Sequence, residues 1–239
     1  MSRPPGAAPQ VLPGVRPSPN IWGSPDVYEL QNRGVDPDGA IDAALRAVHD
    51  WAGADVLDVG CGAGFHLPRY AAAARAVVGV EPHPPLVELA AARVRDLPGV
   101  RVLTGSAEQL PLPDASVDVA YARWAYFFGP GCEPGLAELE RVLRPGGTAL
   151  VVDTDAGRGA FGAWSRRAVP GWDPAAVERF FARRGFGAQR LDVRWEFATR
   201  EELAAVLRIE LGPQVAADAL AALPGTGLVQ PVVVRWRRR

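Results

Sequence analysis

From residue 55 onward the apolar residues fall into short runs, each followed by a stretch in which they recur every three or four positions. The runs at 55–59, 76–80, 100–103, 117–121 and 148–153 are rich in valine, leucine and alanine and show little polar alternation. Strands read this way when both faces of a parallel sheet are covered. The segments 65–74, 84–95 and 134–143 carry helical spacing, so strands alternate with helices except between the runs at 100–103 and 117–121. That order predicts a parallel sheet whose ligand lies outside the carboxyl ends of its strands.

The last third differs. A helix is expected over 174–183 and a strand over 188–197, where Leu191, Val193, Trp195 and Phe197 alternate with polar residues. Thr199 is a candidate cap for a helix over 201–209, and 228–236 reads as a closing strand after a polar, glycine-containing stretch. The two late strands, around Arg190 and Val233, predict an antiparallel addition at one sheet edge. The expected fold is therefore α/β and Rossmann-like, with seven strands and helices on both faces. Ahead of the sheet, Ile41, Leu45 and Val48 share one face of a helix over 37–51. Ile21, Trp22, Val27, Tyr28 and Leu30 give a shorter helix something to dock with, and residues 1–20 are dense in proline and read as an extended arm. No internal repeat divides the chain, so 21–239 is expected to be one domain, with 21–51 as its N-terminal helical region.

Composition narrows the function by exclusion. The chain has 239 residues, 48% of them hydrophobic, which is enough for one substantial core without metal or disulfide staples. Its formal net charge of -1 does not indicate a broadly basic nucleic-acid surface. All the positive side chains are arginine, which we read as a genomic bias. Cys61 and Cys132 form neither a disulfide framework nor zinc-ligand spacing, and the three histidines make no metal motif, so no metal is expected. A reducing cytoplasm fits. No signal-peptide pattern or run of about 18 apolar residues points to secretion or a membrane.

The chemistry is concentrated in Val56-Leu57-Asp58-Val59-Gly60-Cys61-Gly62-Ala63-Gly64. Glycine removes Cβ where a backbone must turn sharply and approach a ligand, and the helix that follows presents unpaired N–H groups. Glu81 ends the next strand, about 20 residues further on, where a carboxylate can accept hydrogen bonds from both hydroxyls of a ribose. These features predict a dissociable nucleotide-like cofactor, with 55–153 as its binding core.

Taken in order, the motifs resemble those of the class I S-adenosylmethionine-dependent methyltransferases, within the broad methyltransferase type 11 group that includes quinone-biosynthesis C-methyltransferases. The family's acidic-x-Gly-x-Gly-x-Gly pattern falls on Asp58, Gly60, Gly62 and Gly64, and its ribose acid on Glu81. The adenine-side loop corresponds to Gly105-Ser106-Ala107-Glu108-Gln109-Leu110-Pro111, Asp118 starts the fourth strand, and Leu143-Arg144-Pro145-Gly146-Gly147 precedes the fifth. The spacing Gly-x-Gly-x-Gly departs from the dinucleotide pattern Gly-x-Gly-x-x-Gly. The resemblance implies S-adenosylmethionine as cofactor, with Asp58 on its ammonium and Cys61, Pro82 and Tyr121 also lining its site. Ala107 and Glu108 would flank the adenine. Ser106 stands where aspartate often sits in the family, and its hydroxyl would make an uncharged contact instead.

The segment after the fourth strand, Tyr121-Ala122-Arg123-Trp124-Ala125-Tyr126-Phe127-Phe128, should face the reacting methyl. Trp124, Phe127 and Phe128 could stack on a planar acceptor or close the core. Arg123 could bind an acidic acceptor or the cofactor carboxylate, or sit in a structural ion pair. His66, Arg123 and Tyr126 are the candidate catalytic groups, His66 being the candidate base. In the resembling enzymes the N-terminal segment folds over the cofactor, which would give Trp22, Tyr28 and Asn32 a lid and acceptor-pocket role, and Trp164 a possible place at the acceptor. The expected reaction is in-line methyl transfer to a small organic acceptor, giving S-adenosylhomocysteine. An RNA-base methyltransferase and a cofactor-binding regulatory or scaffold protein without turnover are the alternatives. The C-terminal Arg235-Trp236-Arg237-Arg238-Arg239 is expected to be a solvated end with Trp236 packed back, and a homodimer is one assembly the sequence admits.

Overall fold

A computed structural model describes residue 12, residue 15 and residues 17–239. The expected proline-rich arm thus lies largely outside the described residues. Seven strands form one sheet: β1 (Asp55–Val59), β2 (Ala76–Glu81), β3 (Val100–Thr104), β4 (Val117–Arg123), β5 (Leu143–Thr154), β6 (Gly187–Glu196) and β7 (Gly227–Arg238). Their order is β3-β2-β1-β4-β5-β7-β6. The strands from β1 to β5 are paired in parallel, and β7 runs antiparallel between β5 and β6. The expected seven-stranded sheet is present, late antiparallel strand included.

Helices cover both faces because the strand residues alternate between two cores. Leu57, Val59, Val78, Ala120 and Val151 pack with α5 (Glu133–Val142) and α7 (Pro174–Ala182). Val56, Val77, Val119, Leu150 and Val152 pack on the other side with α2 (Ala40–Val48), α3 (Leu67–Ala71) and α4 (Pro84–Val94). The continuous apolar runs are the signature of this two-sided burial. A third core joins α1 (Pro25–Gly34), α6 (Gly159–Ala168) and α8 (Arg200–Ala222) around Phe161, Trp195, Leu203 and Leu207.

Two sequence expectations are corrected and one element is new. Helix α6 lies in a stretch to which the sequence reading assigned no element, where Gly159 and Gly162 lower helix propensity; tertiary packing of Phe161 and Ser165 restores it. Helix α8 does not stop at residue 209. It continues past a kink at Gly212, whose φ 73° and ψ 164° break the helix before Pro213 starts it again. The C-terminal run is solvated only at Arg238 and Arg239; Arg235 and Arg237 lie within β7, where Arg235 is buried against Glu178 and Phe181 and Arg237 pairs with Glu140. Trp236 does pack back, against Gly187.

Chain order reverses between β1 and β4: β2 and β3 extend the sheet one way, β4 and β5 the other. That switch point opens a crevice at the carboxyl ends. Val59, Glu81, Thr104 and Arg123 all terminate their strands on this edge.

Candidate active site

The crevice is built from the turn after β1. Gly60 and Cys61 donate backbone hydrogen bonds to Val80 O at 2.8 and 3.1 Å, which locks the turn to the end of β2. Gly60, Gly62 and Gly64 take φ of 72°, 56° and 76°. A Cβ on Gly60 would stand 2.6 Å from the Ala125 methyl, and one on Gly62 would stand 2.7 Å from Ile21 Cδ1. The glycine loop is therefore enclosed, by the segment after β4 on one side and by the N-terminal segment on the other. Cys61 turns away from the crevice and packs on Gly79, where burial pushes its thiol well above its ordinary range.

Glu81 is buried, and each of its oxygens accepts one backbone N–H: Gly62 to Oε2 and His83 to Oε1, both at 3.0 Å. A carboxylate has about four acceptor sites, so the remaining ones are free for further donors. Burial raises its pKa to about 7 against the lowering effect of the two N–H bonds. Asp58 is also buried at the end of β1; its pKa rises to about 7 through burial, while Arg123 acts in the opposite sense. Pro82 links Glu81 to His83, and Trp22 stacks on the His83 ring at 4.1 Å.

On the adenine side of the family pattern, Ser106 is half-buried and Ala107 is buried in the core, while exposed Glu108 accepts a hydrogen bond from the Tyr126 hydroxyl at 2.9 Å. That bond and burial raise the Tyr126 pKa, with burial the larger cause. Trp124 and Tyr126 hold φ of 47° and 53°, a left-handed conformation that is costly for large side chains and clusters at functional sites. The Trp124 indole donates to Thr154 Oγ1 at 3.1 Å. Phe127 is core, Phe128 is 48% exposed, and Tyr121 stacks on Tyr70 beside Trp51 in the core on the α3 side.

Arg123 lies at the end of β4 with its side chain buried and bonded to Asp42 on α2 at 2.9 Å, so it sits in an ion pair. His66 precedes α3. Burial first, then the charges of Arg123, Arg69 and Arg93, hold its pKa well below the ordinary imidazole value, and its Nδ1 has no hydrogen-bond partner. Tyr28 and Asn32 lie on α1 and are half-buried. Burial above all raises the pKa of the Tyr28 phenol, with the charges of Glu210 and Glu81 adding to it and Arg123 opposing them. Helix α1 is tied across the crevice by Glu29 to Arg93 of α4 at 2.7 Å. Trp164 lines a different cavity, of about 360 Å³, with Arg158, Asp192, Leu228 and Val229.

Residues 57–151 match the model of a methyltransferase domain family. Over 106 residues, 44% of this chain and 40% of the relative, the sequence is 40% identical to a probable S-adenosylmethionine-dependent methyltransferase of Mycolicibacterium smegmatis. Over 109 residues, 46% of this chain and 43% of the relative, it is 35% identical to the ubiquinone/menaquinone biosynthesis C-methyltransferase UbiE of Rubrivivax gelatinosus. The crystal structure of the YcgJ protein from Bacillus subtilis superposes with a TM-score of 0.60, covering 84% of this chain and 98% of that one at 18% identity. The chain has the class I S-adenosylmethionine-dependent methyltransferase fold. The matched segments span 40% and 43% of the two curated relatives' lengths.

Sequence reasoning missed Asn20 and Glu210, and gave Ile21 only a docking role. Glu210 did leave a signal. It falls three and four positions after Leu207 and Val206, on the stripe of α8 that buries Leu203, Val206, Leu207 and Leu211. A carboxylate on such a stripe needs a partner or a purpose. Among the described residues no cluster of His, Cys, Asp and Glu could hold a metal ion, and no helix is long and apolar enough to cross a membrane.

Proposed function

We propose that this protein transfers a methyl group from S-adenosylmethionine to a small organic acceptor, leaving S-adenosylhomocysteine. The observation that carries the reading is Glu81, a buried strand-end carboxylate braced by Gly62 and His83 beside three left-handed glycines, with acceptor capacity to spare. The residues suit the cofactor. Glu81 would take the ribose hydroxyls, Asp58 the ammonium, and the Gly60–Gly64 backbone would pass under the methionyl part.

The cofactor supplies a methyl already activated on a sulfonium. The protein's task is then placement and exclusion of water, and near-attack positioning accounts for much of such a barrier. Ile21 and Trp22 close the crevice over Gly62 and His83. The paired Arg123 and Asp42 fix the end of β4, and His66, held neutral, can accept a proton from an acceptor that carries one at neutral pH. A small acceptor is favoured over RNA because the C-terminal arginines Arg235 and Arg237 are spent on Glu178 and Glu140 rather than arrayed as a basic groove.

The test is calorimetry with S-adenosylhomocysteine followed by incubation with methyl-labelled cofactor and extract of the source cell. The expected result is cofactor binding and a labelled small product that survives RNase. Absence of cofactor binding overturns the reading.

A further inference from the structure

We propose that the acceptor carries a basic nitrogen and is held through it by Glu210, in a cleft roofed by the N-terminal segment. This rests on the methyltransferase reading and deepens it.

Glu210 and Tyr28 are both half-buried, and the charges of Glu210 and Glu81 both act on the Tyr28 phenol. Chain connectivity gives a second tie. Asn20 Nδ2 donates to Glu210 Oε1 at 2.7 Å, and the next residue, Ile21, covers Gly62. Neighbouring Cα atoms are about 3.8 Å apart, so one short segment touches both Glu210 and the glycine loop.

The charges then sort themselves. Arg123 pairs with Asp42, which also holds the more exposed Arg69. Asp58 and Glu81 belong to the cofactor under the proposed function. Glu210 remains, and the side chains that face it, Asn20 and Gln31, are neutral amides. A buried carboxylate without a cation is costly, so burial raises the pKa of Glu210, and a ligand ammonium would hold it in the charged form. The Gln31 Oε1 atom, buried and without a partner, adds another acceptor for N–H donors. An anionic acceptor would meet only repulsion from Glu210.

The test uses the full-length protein, methyl-labelled S-adenosylmethionine and a small-molecule extract of the source cell, with the labelled product applied to a cation exchanger at pH 7. A retained, cationic product supports the proposal. A neutral or anionic product overturns it and leaves the methyltransferase reading standing. Unlabelled extract despite calorimetric binding of S-adenosylhomocysteine overturns both. With the purified acceptor, Glu210→Gln should raise KM about 10- to 100-fold with kcat changed far less, the loss expected for a charge-assisted hydrogen bond. Glu210→Asp should recover part of it. S-adenosylhomocysteine affinity should be unchanged in both variants, which separates acceptor recognition from misfolding; equal KM values for wild type and Glu210→Gln would overturn the assignment.

Discussion

Glu81 holds the glycine turn together through Gly62 while keeping lone pairs for a ligand, so its charge serves fold and binding at once. Glu81→Gln keeps the shape and loses the charge-assisted bonds. S-adenosylhomocysteine affinity should fall about 10- to 100-fold by calorimetry. The same residue makes binding depend on pH. In the ligand-free protein the pKa of Glu81 is raised from 4.5 to about 7, so between those values the native state holds a proton that the unfolded chain has released. Stability contributed by Glu81, and likewise by Asp58, therefore falls as pH rises through that window. Asp55, held down by Arg75, acts in the opposite sense but below the ordinary carboxylate range. Ribose hydroxyls and an ammonium favour the ionised carboxylates, so cofactor-product binding should release protons near pH 6 and tighten toward pH 8. Calorimetry in buffers of differing ionisation enthalpy measures this, and a proton count of zero in wild type would contradict it. Tyr126→Phe tests a different point. Because the hydroxyl is engaged by Glu108 and its pKa is raised, the substitution should leave the pH profile of turnover in place. A lost basic limb would instead make Tyr126 the base.

At the level of elements, the segment from Asn20 to Gly34 behaves as a strap. It is tied at Glu210, His83 and Arg93 and lies over the glycine loop. Its apolar residues were legible in the sequence as something that docks, but the partners were not, because Glu210 is 190 residues from Asn20 and His83 is far along the chain. Trp22→Ala removes an aromatic stack worth about 0.5–1.5 kcal/mol, so S-adenosylhomocysteine should dissociate about 2- to 10-fold faster in stopped-flow measurements. The kink in α8 is the second element the sequence misread. The helix was expected to end at residue 209, yet packing of Leu211, Ala216 and Ala219 carries it onward. Gly212 sits in a backbone region that is nearly glycine-only, so Gly212→Ala should destabilise the fold by about 1–3 kcal/mol in a denaturant titration, although its surroundings have room for a methyl. Helix α6 was missed for a related reason: glycine lowers local propensity, and only contact with α8 and β7 repays it.

For the whole molecule, the cofactor crevice exists because the sheet reverses its order between β1 and β4, bringing Asp58, Glu81 and Arg123 from three separate strands to one edge. Binding should therefore stabilise the fold globally. At 100 times its Kd, S-adenosylhomocysteine contributes about 2.7 kcal/mol, which for a chain of this size raises Tm by about 5–10 °C. Glu81→Gln should abolish most of that shift at the same concentration, as differential scanning fluorimetry would record. The sequence by itself determined the sheet, the glycine turn and the strand-end acid Glu81, because burial on both faces forces unbroken apolar runs and a tight turn forces glycine. Those are local demands written where they act. Only the tertiary structure decided that Cys61 and Tyr121 face the core, that Arg123 is neutralised by Asp42, and that Glu210 comes beneath Asn20. Each depends on which residues distant in sequence meet across the crevice, and pairwise burial and charge compensation leave no periodic trace along the chain.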